Sequence, residues 1–161
     1  MNTTTKHHTR TTILLSKKGM KDLKKSILQL EQDRTAIQRS LRESDKSHVR
    51  DDRLERIEKL QRLEAVEADL HEKKSILTNA KLLPSKRTRL KVAVGSVVDL
   101  IDQQGRMFRY TIVESIEANP SDGRISTESP IGKSLVGKAV KDVIEWGSGA
   151  SYRNLQLVQI S

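Results

Sequence analysis

Residues 20–41 read MKDLKKSILQLEQDRTAIQRSL, and residues 54–77 read LERIEKLQRLEAVEADLHEKKSIL. In the first stretch Met20, Leu23, Ile27, Leu30, Ile37 and Leu41 recur at steps of three and four, the a/d pattern of a coiled coil. Only Arg34 interrupts it, as a snorkelling side chain paired with a neighbouring glutamate. In the second stretch Leu54, Ile57, Leu60, Leu63, Val66, Leu70 and Leu77 form an apolar stripe of similar length. A reflection about residue 48 sets Leu41 against Leu54, Ile37 against Ile57, Leu30 against Val66 and Ile27 against Leu70. The pattern therefore predicts an antiparallel helical hairpin over residues 13–80, with its tip near residues 43–52. Each arm of roughly 28 residues is about 40 Å long at ~1.5 Å per residue. Such a rod reaches rather than encloses.

Outward from the hairpin the composition divides the chain. All four aromatic residues, Phe108, Tyr110, Trp146 and Tyr152, lie beyond residue 100. Of the net charge of +9, residues 1–91 carry 23 Lys/Arg against 13 Asp/Glu, and residues 92–161 carry 7 against 8. The positive field belongs to the rod and its flanks, where it attracts phosphate or an acidic protein groove. Cysteine is absent, so there is no disulfide framework, no thiolate metal site and no cysteine nucleophile. No apolar run approaches the ~18 residues of a membrane span, and no signal peptide is recognisable; a cytoplasmic protein is expected.

Residues 1–12, MNTTTKHHTRTT, are polar and aperiodic and read as a disordered tail. Ser16 is placed to cap the first helix. Asp52 and Glu55 stand three apart before the second stripe, as in a capping box. Residues 81–91, KLLPSKRTRLK, read as a basic linker, with Leu82 and Leu83 packing at a junction. From Val92 the period becomes that of strands. VGSVVDLI and MFRYTIVESI flank a turn at Gln104-Gly105; KDVIEW and residues 152–160 supply further strands; SPIGKSL is a short helix capped by Ser129 with Pro130 in its first position. The expected class is α+β: a coiled-coil hairpin, then a small antiparallel β domain with one short helix at residues 92–161.

GSVVDLIDQQGRMFRYTIVESIEA and GRISTESPIGKSLVGKAVKDVIEW resemble the C-terminal half of the Gre-type transcript cleavage factors, the GreA/GreB family of bacterial elongation factors. Ser129-Pro130-Ile131, Leu135, Gly137-Lys138 and Val143 fall on the family pattern at its spacing, and Asn79-Ala80 matches its helix-to-linker junction. The resemblance implies an FKBP-like fold for the C-terminal domain. It further implies RNA polymerase as the partner, nascent RNA contacted within that complex, no membrane association, and a monomeric factor. The globular domain would grip the rim of the polymerase secondary channel through Ser129, Pro130, Ile131, Gly132, Lys133 and Leu135. The hairpin tip would deliver carboxylates to the active centre. The factor would be no enzyme and hold no cofactor of its own, but would stimulate the polymerase's Mg-dependent cleavage of backtracked RNA.

The tip departs from the family. Where the family carries an Asp and a Glu three apart, this chain reads Ser47-His48-Val49-Arg50-Asp51-Asp52-Arg53. Alignment from the first helix sets Arg50 at the family's Asp; alignment from Asn79-Ala80 sets Val49 there and Asp52 at the Glu. The candidate tip residues are therefore Asp51 and Asp52, which could share a magnesium ion with the polymerase, and Asp45 on the approaching arm. Adjacent residues on a helix diverge by about 100°, whereas residues three apart share a face. Asp51 and Asp52 serve equally well as helix caps, and Ser129 to Gly132 as a cap within the small domain. Two alternatives follow: a secondary-channel regulator without cleavage activity, and a basic protein that binds DNA or RNA directly.

Overall fold

The structure, a computed structural model, describes residues 12–44, 53–84, 90–147 and 152–161. These fall into two compact units, one built on residues 20–80 and the other on residues 13–19 and 81–161. Strand β1 (Ile13–Leu15) leads into α1 (Lys17–Ser44); α2 (Arg53–Asn79) leads into β2 (Ala80–Leu82). The class is α+β, as the sequence implies. Two boundaries move. The residues expected to begin the hairpin and the linker instead pair as a two-stranded sheet, β1 with β2, and Leu83 N donates to Leu15 O at 2.9 Å. Leu15 is fully buried, but Leu82, expected to pack, is half exposed. Residues 1–11 of the expected tail and residues 85–89 of the basic linker lie outside the described residues.

On α1 every seam position, Met20, Leu23, Ile27, Leu30, Arg34, Ile37 and Leu41, is buried or half-buried. On α2 Lys59, Leu63, Val66, Leu70, Lys73 and Leu77 are buried or half-buried at seam spacing, and Ile76 and Asn79 beside them are half-buried too. Leu54, Ile57 and Leu60, expected on the stripe, are exposed at 76%, 47% and 46%. The reason is geometric. From Leu54 to Val66 the apolar residues step by three, and each step turns back about 60° on a helix of 3.6 residues per turn. Nine residues amount to half a revolution, so Leu54 points away from Leu63.

Two cross-helix contacts set the register. Ser44 and Lys59 (Oγ to Nζ, 3.1 Å) lie symmetrically about residue 51.5, and Glu31 and Lys74 (Oε1 to Nζ, 2.6 Å) about residue 52.5. Because helical side chains lean toward their own N-terminus, the backbone mirror falls at roughly residues 50 to 52. It does not fall at 48. The expected facing pairs are displaced accordingly, and the first turn of α2 extends past the end of α1.

The second unit is a five-stranded sheet in the order β5-β4-β3-β7-β6, with β3 Val97–Asp102, β4 Met107–Val113, β5 Arg124–Ser126, β6 Val143–Trp146 and β7 Arg153–Ile160. Its pairs are antiparallel except β4–β5, which is parallel, a departure from the all-antiparallel expectation. Two short 3₁₀ turns, Ser115–Glu117 and Pro120–Asp122, carry the chain from β4 back to β5 in the same direction. Helix α3 (Pro130–Leu135) lies over one face, where Val98, Leu100, Ile112, Ile125, Ile131, Leu135, Ile144, Leu155 and Leu157 form the core. Alternation along β3 turns Asp99 to the other face. There Arg109 holds it through Nε at 2.6 Å and Nη2 at 2.8 Å.

Two outcomes are expected. Leu70→Ala should cost about 2–4 kcal/mol in denaturant unfolding, whereas Leu54→Ala should change stability by less than about 0.5 kcal/mol. The hydrogen bond and charge of Arg109 lower the Asp99 pKa below its ordinary 3.8. A depressed carboxylate stabilises the fold above its unfolded pKa and loses that contribution as pH falls through the folded value. Asp99→Asn should therefore flatten the fall in melting temperature below pH 4 in thermal scans.

Candidate functional site

The three tip candidates, Asp45, Asp51 and Asp52, lie outside the described residues. What the structure supplies is their support. Ser44 ends α1 and Arg53 begins α2, so residues 45–52 connect two helices of 28 and 27 residues. At that end Lys59 donates to Ser44 Oγ at 3.1 Å and pairs with Glu55 Oε1 at 2.7 Å. Ser44 Oγ in turn donates to Ser40 O at 3.0 Å. Halfway along, the hydrogen bond and charge of Lys74 hold the Glu31 carboxyl below its usual range, with a smaller effect from the Arg34 charge. The glutamate pairing expected of Arg34 is not formed among the described residues: Glu31 pairs with Lys74 instead, and the Arg34 Nε is buried in the seam with no hydrogen-bond partner. No cluster of three or more metal-ligating side chains occurs among the described residues.

The second candidate segment is α3 and its cap. Ser129 Oγ accepts from Gly132 N at 3.1 Å and donates to Ser126 O at 2.7 Å, and Pro130 occupies the first turn as expected. The helix then turns Ile131 and Leu135 into the core. Gly132 is buried where a β-carbon would overlap the Ser126 carbonyl oxygen. Of the six residues named for partner contact, Pro130 and Lys133 are exposed and Ser129 is half-buried, so a partner can reach these. Ile131, Gly132 and Leu135 are spent on packing. Lys133 sits 3.7 Å from Glu128 on the solvent side, and Val136 beyond the helix is also exposed.

One buried carboxylate escaped the sequence reading. Ser16 caps α1 by accepting from Gly19 N at 2.9 Å, as expected. Its own N–H donates to Glu117 Oε2 at 2.9 Å, and its hydroxyl to Glu117 Oε1 at 2.5 Å; Arg124 Nη2 donates to the same Oε1 at 2.8 Å. In a capping box the residue three after the cap returns a carboxylate to the cap N–H. Here that position is Gly19, and Glu117 takes its place from 101 residues away. Any side chain at position 19 would overlap the Glu117 carboxylate. The available signal was the glycine itself, which is costly in the first turn of a long helix unless something must sit close to it.

Gly19→Ala, a change that raises intrinsic helix propensity, should here lower thermal stability, and Glu117→Gln should lower it by about 1–3 kcal/mol. Scanning calorimetry of both variants measures this.

Comparison with known proteins fits the C-terminal pattern. Residues 87–161 match the family described as Transcription elongation factor, GreA/GreB, C-term. The chain is 35% identical over 132 residues to transcription elongation factor GreA of Mycoplasma pneumoniae, covering 80% of this chain and 82% of that protein. It is 36% identical over 97 residues to GreA of Thermoanaerobacter pseudethanolicus, covering 59% of this chain and 62% of that protein. Among solved structures, GreA factor homolog 1 of Thermus thermophilus aligns with a TM-score of 0.44 at 27% identity, over 92% of this chain and 98% of that one. The chain belongs to the GreA/GreB family of transcription elongation factors.

Proposed function

We propose that this protein docks in the secondary channel of RNA polymerase and stimulates the polymerase's own hydrolysis of backtracked RNA. The observation that carries the reading is a pair of helices of 28 and 27 residues, joined by an eight-residue segment bearing Asp45, Asp51 and Asp52, in a chain of this family. Each arm is about 40 Å long. Magnesium in the polymerase would supply activation of the attacking water and stabilisation of the leaving oxygen. The chain's part is to bring acidic oxygen ligands, which hard cations prefer, to a centre that lacks enough of them. On the globular unit Pro130, Lys133, Val136 and half-buried Ser129 are open to a channel rim. The site works in trans; hydrolysis belongs to the polymerase.

A second reading is favoured by the tip sequence. Asp51 and Asp52 are adjacent rather than three apart, with Arg50 and Arg53 on either side. Arginines at the tip neutralise the local field that would recruit a cation. Such a factor would occupy the channel and regulate transcription without promoting cleavage.

A stalled, backtracked elongation complex separates the two. Added protein at micromolar concentration should shorten the RNA in a magnesium-dependent manner. Asp51→Ala and Asp52→Ala should each lower the rate by roughly tenfold to a hundredfold, the loss seen when a group supporting a metal is removed. An unchanged RNA length with retained polymerase binding would establish the regulatory reading instead.

A further inference from the structure

The seam of α2 contains a lysine where the sequence pattern offers leucines. Counting back from Leu70 at coiled-coil spacing gives Val66, Leu63 and then Lys59. The Lys59 side chain is only 23% exposed, while Leu60 beside it is 46% exposed. A lysine turned inward while leucines face water is unfavourable by hydrophobic transfer alone. It is stable here because its ammonium has partners: Glu55 Oε1 at 2.7 Å and Ser44 Oγ at 3.1 Å. Ser44 passes the interaction to the α1 backbone through Ser40 O. The last carbonyls of a helix lack intrahelical donors and carry partial negative charge, so a cation at this end is well placed.

Position matters as much as strength. The buried apolar residue of α1 nearest the tip is Ile37, and that of α2 is Leu70. Toward the tip the apolar seam thins to half-buried Leu41 and Leu63. Among the described residues, Lys59–Ser44 is the cross-helix bond nearest the point where residues 45–52 depart. Apolar contacts slide easily; a directed bond between an ammonium and a hydroxyl fixes one helix end against the other in rotation and in height.

We infer that Lys59 is a positioning residue: it clamps the last turn of α1 to α2 and so fixes the geometry from which the tip aspartates are presented. This rests on the cleavage reading above, and it acts on the maximal rate rather than on docking. A residue kept only for stability would be replaced without loss by an apolar one, since seam lysines are readily bettered by methionine or leucine.

The test therefore uses Lys59→Met, which should preserve helix content and melting temperature, with Lys59→Arg as the conservative partner. In the backtracked-complex assay, Lys59→Met should leave half-saturation unchanged and reduce the maximal cleavage rate roughly tenfold to a hundredfold, the cost of small displacements of reacting groups. Lys59→Arg should restore much of it. Independently of activity, nitroxide labels at Arg42 and Leu54 should give a narrow distance distribution in the parent and a broadened one in Lys59→Met. Parent-like rates and a parent-like distribution in Lys59→Met would overturn the inference. If the parent protein itself fails to stimulate cleavage, the cleavage reading falls, and the label distances still decide whether the clamp exists.

Discussion

Everything the helical unit can do depends on two long helices keeping one face each toward the other. A 3.6-residue turn permits this only where side chains alternate steps of three and four. α1 obeys the rule from Met20 to Leu41. α2 obeys it from Leu77 back to Lys59 and does not extend it through its leucines, because Leu60, Ile57 and Leu54 rotate off the seam. The apolar seam therefore weakens toward the tip, and polar contacts take over there. Hydrophobic area supplies most of the pairing energy at the far end of the arms; hydrogen-bond direction supplies precision at the end where Ser44 and Lys59 meet.

The globular unit solves a related problem with charge. Its buried carboxylates, Asp99, Asp102 and Glu117, are each matched to an arginine: Arg109, Arg106 and Arg124. Asp102 also accepts from the backbone N–H groups of Gln104 and Arg106, tying the β3–β4 turn to its own strand. Burying a carboxylate is expensive unless its lone pairs are filled, and here they are. The small sheet, with one short helix across it, gains from these pairs a fixed register that its modest apolar core would specify less firmly.

Much of this was legible in the sequence because it is local. The helix lengths, the Ser16 and Ser129 caps, the Gln104-Gly105 turn and the closing strands all follow from spacing and turn chemistry over a few residues. The misreadings share a different origin. Leu54, Ile57 and Leu60 are apolar, but their angular position on the helix, not their hydrophobicity, decides where they point. Ile131 and Leu135 lie in the segment that the family resemblance marks as a contact surface, yet a six-residue helix must spend its apolar side chains on the sheet beneath. The β1–β2 pair and the parallel β4–β5 pair join segments with no period long enough to read. Glu117 was invisible because its partners lie about a hundred positions away; only the glycine at position 19 hinted at them.

That separation has a consequence for how the chain is made. The first turn of α1 leaves the ribosome well before the carboxylate that completes its cap, which follows 101 residues later. At ~5–20 residues per second the wait is roughly 5 to 20 s. During synthesis the Ser16 amide must borrow water in place of Glu117, so the start of the nascent helix frays until the segment around residue 117 emerges.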